Sequence, residues 1–227
     1  MQESSFPFEK GQLDYVWDIP EGKEPKALCI LAHGAGADMH HSFMAWAAKE
    51  LCQRGFAAFR FQFPFKQAKR PFADKPPKAM AALQAACAWA SKSYPLLPLY
   101  VVGRSFGGRM AMLASCEEMI RPRGLIFLGF PLHSAKKIDT KRAACLPQIS
   151  CPMLFVQGDR DNLSHLDTLK GVLKPLKNSF LRVIEDGDHS FKVRKTKGFD
   201  QDGAFCQILD HMVFFLEKTS KSAKGAY

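Results

Sequence analysis

The residues best suited to chemistry lie in Gly103-Arg104-Ser105-Phe106-Gly107. A serine flanked by glycines two positions before and after fits a sharp turn from strand to helix, because neither glycine carries a side chain that would clash there. Leu99-Tyr100-Val101-Val102 before it has the apolar pattern of a buried strand, and helical spacing resumes through Met110, Leu113 and Ala114. Gly108 extends the permissive backbone, and a helix N-terminus favours negative charge forming beside Ser105. The competing reading is a glycine-rich turn with a capping serine.

A serine hydroxyl is a poor nucleophile without a base. Seven histidines are available, and His189, in Glu185-Asp186-Gly187-Asp188-His189-Ser190, is the best placed. It follows an apolar run directly, and loops after the carboxyl ends of parallel strands are where sheets of this kind put their sites. His211 falls within the last helical stretch, where packing or surface duty is expected, and His133 and His165 lack a supporting motif. The imidazole in turn needs a carboxylate to fix its tautomer. Gln157-Gly158-Asp159-Arg160-Asp161 follows another apolar run, and Asp161 is preferred to Asp159. Asp186 and Asp188 read as turn formers around Gly187.

An oxyanion needs two fixed N–H donors. The backbone of Phe106 offers one, and the loop His33-Gly34-Ala35-Gly36 offers the other, at Ala35. His33 is expected to brace that loop. His40 and His41 open the next helix, and no acidic or cysteine partners at useful spacing suggest a metal there. Arg104, Arg60 and Arg70 are candidates for a mouth that favours acidic substrates. An internal salt bridge competes with that role for Arg60, and packing near the turn competes for Arg104. Phe63, with Phe61, Phe65 and Phe72, reads as strand and loop packing or as an acyl-pocket lining.

These pieces require strands that end where the chemistry begins. Apolar runs of strand length occur at 27–33, 56–62, 97–102, 125–129, 153–157 and 180–184, alternating with helical periodicity at 43–53, 78–91, 166–173 and 205–216. Strands buried on both faces and alternating with helices predict a parallel sheet covered on both sides. Residues 13–19 alternate in polarity, as an edge strand does. Pro64, Pro71, Pro76 and Pro77 punctuate a basic loop over 63–76, and Pro77 suits the start of a helix.

The 227 residues are 47% hydrophobic and 24% charged, which excludes a disordered or low-complexity chain. No apolar run is long enough to span a membrane, and no secretory signal is visible, so a cytoplasmic protein is expected. The seven cysteines are odd in number and lack CxxC spacing, which reads as free thiols. The net charge is +10. Its basic runs at 136–137, 192–197 and 218–224 read as solvated surface, since no nucleic-acid module accompanies them.

With these marks the chain resembles the α/β-hydrolase superfamily over residues 13–217. Within it the chain is similar to compact dienelactone-hydrolase-like proteins, and more narrowly to a branch of testis-expressed hydrolase-like proteins. That branch pairs an H-G-A-G loop with a G-R-S turn and an R-F…F-P stretch, here Arg60-Phe61-Gln62-Phe63-Pro64. With no internal repeat and no linker long enough to separate domains, one domain is expected over 1–227, with a basic tail at 218–227. The resemblance implies an eight-stranded, mostly parallel sheet with helices on both faces, and a Ser105–Asp161–His189 triad with no cofactor and no metal. Only residues 130–151 separate the fourth and fifth runs, too few for a multi-helix lid.

The expected function is hydrolysis of a small-molecule ester or thioester through an acyl-enzyme. Ala35 and Phe106 would hold the oxyanion, with Arg104 and Phe63 at the substrate. No specific nucleic acid and no membrane partner are expected, and the protein would be a monomer or homodimer. The alternative is a catalytically silent binding or scaffold protein of the same fold.

Overall fold

The computed structural model describes residues 2–195, 198 and 200–221. Each long apolar run forms a strand: β3 (Leu28–Ala32), β4 (Ala57–Phe61), β5 (Leu99–Arg104), β6 (Gly124–Leu128), β7 (Met153–Gly158) and β8 (Ser179–Ile184). These are mutually parallel, and a hairpin of β1 (Gln2–Phe8) and β2 (Gly11–Asp18) adds antiparallel to β4. The eight strands run in the order β1-β2-β4-β3-β5-β6-β7-β8.

The edge-strand expectation for 13–19 does not hold. β2 is paired on both sides, and β1 forms the edge. Polar Gln2, Glu3 and Ser4 are exposed there while Phe6 is buried, and Glu9 makes the turn in the left-handed region at φ 50°.

Alternation within the strands divides the core in two. Leu28, Ile30 and Ala32 of β3 pack on one side, under α3 (Pro76–Ser93), α4 (Phe106–Cys116) and α5 (Leu166–Leu173). Cys29 and Leu31 pack on the other, under α1 (Ser42–Gln53) and α6 (Gln201–Lys221). Both Pro76 and Pro77 sit in the first turn of α3, where a missing N–H costs nothing. The loop at 63–76 holds one short helix, α2 (Pro64–Gln67), opened by Pro64 in the same way.

Between β6 and β7 lie two single-turn 3-10 segments, Lys141–Ala143 and Leu146–Gln148, and no α-helix. The fold has no lid-like insertion there. Among the described residues, no helix is long and apolar enough to cross a membrane.

The free-thiol reading fails for two cysteines. Cys116, at the end of α4, is disulfide-bonded to Cys145, with Cα atoms 6.1 Å apart. Cys29, Cys52, Cys87, Cys151 and Cys206 are free. Of the basic runs, positions 196, 197 and 222–227 lie outside the described residues.

Candidate active site

The turn after β5 is built as its composition predicts. Ser105 has φ 48° and ψ −110°, a strained conformation for a residue with a side chain. The backbone is packed too tightly there for any residue but glycine at Gly103, Gly107 and Gly108. A Cβ on Gly107 would run into the carbonyls of Ala32 and His33, and one on Gly103 into the backbone of Gly107 and Gly108. The turn is thus pressed against the end of β3, and the Ser105 N–H donates to the carbonyl of Leu128, the last residue of β6, at 3.0 Å.

The structure brings Ser105, His189 and Asp161 together from three strand ends. His189 Nε2 lies 2.8 Å from Ser105 Oγ. Its Nδ1 lies 2.7 Å from Asp161 Oδ2. A carboxylate only accepts, so Nδ1 carries the hydrogen and Nε2 is left to accept from the serine hydroxyl. Asp161 is fully buried at its side chain, whereas the imidazole keeps some exposure. Ser105 and Phe106 are half-buried, so the loop at 63–76 does not seal them.

Two devices hold this arrangement. Gly158 lets the end of β7 approach Gly187 so closely that a Cβ would strike its carbonyl, which brings the Asp161 turn beside the His189 loop. Asp186, in the left-handed region at φ 57°, anchors that loop. It accepts from Arg194 Nε at 2.8 Å and from the Arg194 N–H at 2.7 Å, and pairs with Arg160 at 2.9 Å. Hydrogen bonding to Arg194, with the charges of Arg160 and Arg194, holds the Asp186 carboxyl well below the usual range. Asp186 lies in the turn before Gly187, as its type predicts, and is in addition an ion-pair anchor. Asp188 does shape the turn, accepting from the N–H groups of Ser190 and Lys192.

Gln157 was missed as a working residue. It is fully buried; its amide N–H donates to Asp161 Oδ2, and its Oε1 accepts from the Phe130 N–H at 3.0 Å. The Leu163 N–H donates to the other Asp161 oxygen at 2.7 Å. The signal available was a polar residue closing the apolar run of β7.

On the opposite side of Ser105, Gly34 lies close enough that a Cβ on it would sit 3.7 Å from the Ser105 Cβ. His33 ties its loop to the next: Nδ1 lies 2.9 Å from the Gly34 carbonyl, and Nε2 accepts from the Phe63 N–H at 3.1 Å. Burial pushes His33 down to about 4, so it is neutral at pH 7. Among the described residues, no acceptor takes the N–H of Ala35 or of Phe106.

The two proposed substrate contacts are placed differently. Phe63 has no exposed surface and packs edge-on against His33 and Phe106, with centroids 4.9 and 5.3 Å away. It is wall behind the site, because a wholly covered side chain does not touch substrate in this conformation. Arg104 is 8% exposed, its guanidinium 4.9 Å from the centre of the Phe43 ring. Burial lowers its pKa while the Asp188 charge opposes that shift. Arg60 is committed internally, paired with Asp18 at 2.9 Å and donating to the Met39 carbonyl. Arg70 pairs with Asp74. His133 is structural, accepting from the His165 N–H at 2.8 Å.

Residues 25–217 match the alpha/beta hydrolase domain family. Among solved structures, an alpha-beta serine hydrolase homologue from Coxiella burnetii superimposes with a TM-score of 0.77 at 20% identity, covering 95% of this chain and 97% of that one. A dienelactone hydrolase from Anabaena variabilis gives 0.75 at 19% identity, over 96% and 97% of the two chains. A serine hydrolase without a lid from Xanthomonas campestris gives 0.71 at 21% identity, over 100% and 96%. At these identities the likeness is one of fold.

Proposed function

The chain belongs to the alpha/beta hydrolase domain family, and from that premise we propose that it is a serine hydrolase of carboxylic esters or thioesters working through an acyl-enzyme. The observation that carries this reading is the hydrogen-bonded line from Ser105 Oγ through His189 to Asp161, at 2.8 and 2.7 Å.

In this mechanism Ser105 Oγ attacks the substrate carbonyl as His189 Nε2 takes its proton. Asp161 holds the imidazole in the required tautomer and stabilises the imidazolium. The oxygen that becomes negative is held by the N–H groups of Ala35 and Phe106, which are free to donate. Collapse of the tetrahedral intermediate breaks the bond to the alcohol or thiol, which leaves with the proton from His189. Water then attacks the acyl-Ser105 ester with His189 again as base, releasing the acid and restoring the serine.

The short connection between β6 and β7 leaves the site open, which suits small and medium substrates over lid-gated lipid. The scaffold alternative needed His189 out of reach of Ser105 or a sealed turn, and no observation favours it. A panel of p-nitrophenyl esters of increasing chain length, with acyl-CoA thioesters beside it, tests the reading. Hydrolysis by wild type and its loss in Ser105→Ala are expected; equal rates in both proteins would refute it.

A further inference from the structure

A concave site lies at the rim of the sheet opposite Ser105. Ser105, Asp161 and His189 follow the carboxyl ends of β5, β7 and β8, whereas Arg123 and Pro152 precede the first residues of β6 and β7, and Phe180 is the second residue of β8. Around these amino ends is a cavity of about 350 Å³ between β8 and the second half of α6. Its size is that of a small-molecule site.

Its walls come from the two periodicities of the elements that meet there. His211, Phe214, Phe215 and Lys218 fall at helical spacing on one stripe of α6, and Phe180 and Arg182 share one face of β8. The helix does not cover this edge of the sheet completely: Phe180 is 36% and Phe214 59% exposed. Phe180 and Phe215 approach at 6.1 Å between centroids. Two large aromatic side chains are thus left facing water beside one that is buried.

The charged side chains that line this apolar surface are all cations. Lys218 lies over the rings of Phe180 and Phe214, at 6.0 and 5.8 Å from their centres. Arg123 is fixed by donating from Nε to the Thr219 carbonyl at 3.1 Å, and Arg182 donates to the Leu181 carbonyl. Among the described residues, none of these three cations has a carboxylate partner, and no Asp or Glu lines the cavity. Burial and then the Arg182 charge keep His211 below its ordinary value, with Asp210 opposing, so it lines the cleft as a neutral ring at pH 7.

We propose that this cleft binds a small amphiphilic carboxylate, its apolar part against Phe180, Phe214 and Phe215 and its anionic head held by Arg123, Arg182 and Lys218. The aromatic walls favour an alkyl or aryl body through burial of apolar area. Three cations without a carboxylate partner among the described residues favour a negative head and disfavour a positive one. The site is independent of the hydrolase reading, because it shares no residue with the Ser105 region.

The test is calorimetric titration of Ser105→Ala protein, which removes turnover, with decanoate below its micellar concentration and with decyltrimethylammonium as the same tail bearing a cation. Saturable one-to-one binding of decanoate is expected, with the cationic amphiphile at least about tenfold weaker. Arg182→Gln/Lys218→Gln should lower the decanoate affinity by roughly tenfold or more while its thermal midpoint stays near that of the parent. If that pair of changes prevents folding, Phe214→Ser, at an exposed position, carries the same decision. Absence of saturable decanoate binding, equal binding of both amphiphiles, or affinity unchanged in the folded variants would each overturn the proposal. So would sedimentation showing the cleft closed by a second copy that excludes decanoate.

Discussion

Replacing Gln157 by Met keeps the length of a fully buried side chain and removes both of its hydrogen-bonding functions. The Phe130 N–H, now bonded to Gln157 Oε1 at 3.0 Å, is left without its acceptor. An orphaned buried N–H costs about 1–3 kcal/mol, which in a chain of this length lowers the thermal midpoint by roughly 2–12 °C. Asp161 loses the Gln157 amide and keeps the Leu163 N–H and His189. The lost donor serves the same oxygen that orients His189, so the imidazole is held less firmly against Ser105. The maximal rate of labelling by a fluorophosphonate probe should fall about tenfold, equivalent to ~1.4 kcal/mol. The probe's half-saturation should stay unchanged, because Gln157 is buried behind the site. A midpoint within about 1 °C of wild type together with a maximal rate within about twofold would refute the reasoning.

Three further outcomes follow from the same structure. The Cys116–Cys145 bond closes a separation of 29 residues, worth about 3–4 kcal/mol in the loop-entropy account; denatured protein should titrate as five thiols without reductant and seven with it, and reduction should lower the thermal midpoint. His33, neutral in the fold and pushed from 6.5 down to about 4, leaves the unfolded chain binding a proton that the folded chain does not between those values. Its contribution is complete above that window and declines as pH falls through it, by about 3 kcal/mol in all; His33→Gln should show a flatter profile of midpoint against pH, and parallel profiles would refute this. Asp186, held down by Arg194, stabilises the fold above its ordinary value of 3.8 and loses that effect as pH falls below it; the gap between wild type and Asp186→Asn in thermal midpoint should be constant near neutrality and narrow in acid.

The central strands were legible because they are buried on both faces, which leaves the plain apolar runs seen at β3, β5, β6 and β7. Ser105, Asp161 and His189 were legible as candidates because each follows a strand within a few residues, although β8, before His189, is only partly buried. β1 was hidden by its polar start and by a turn at Glu9-Lys10 that lacks the usual glycine or asparagine. α2 was hidden because Pro64 reads equally as loop punctuation or as a helix opener. The disulfide joins residues brought together only when α4 packs against the β6–β7 connection. Gln157 and Arg60 show a further limit. A buried polar side chain is identifiable by type, but its partners, Asp161 and Phe130 for one and Asp18 for the other, are set by tertiary packing. Phe63, readable from sequence as packing or as pocket lining, is packing, because it is fully covered against His33 and Phe106.

The central claim is that Ser105 is a nucleophile activated by His189, and it is tested most directly by locating a fluorophosphonate adduct by mass spectrometry. One phosphonyl group on the peptide containing Ser105 is predicted in wild type, with none on Ser105→Ala and strongly slowed labelling of His189→Gln. Folded wild-type protein that remains unlabelled, or an adduct that forms as fast without Ser105, would contradict the account.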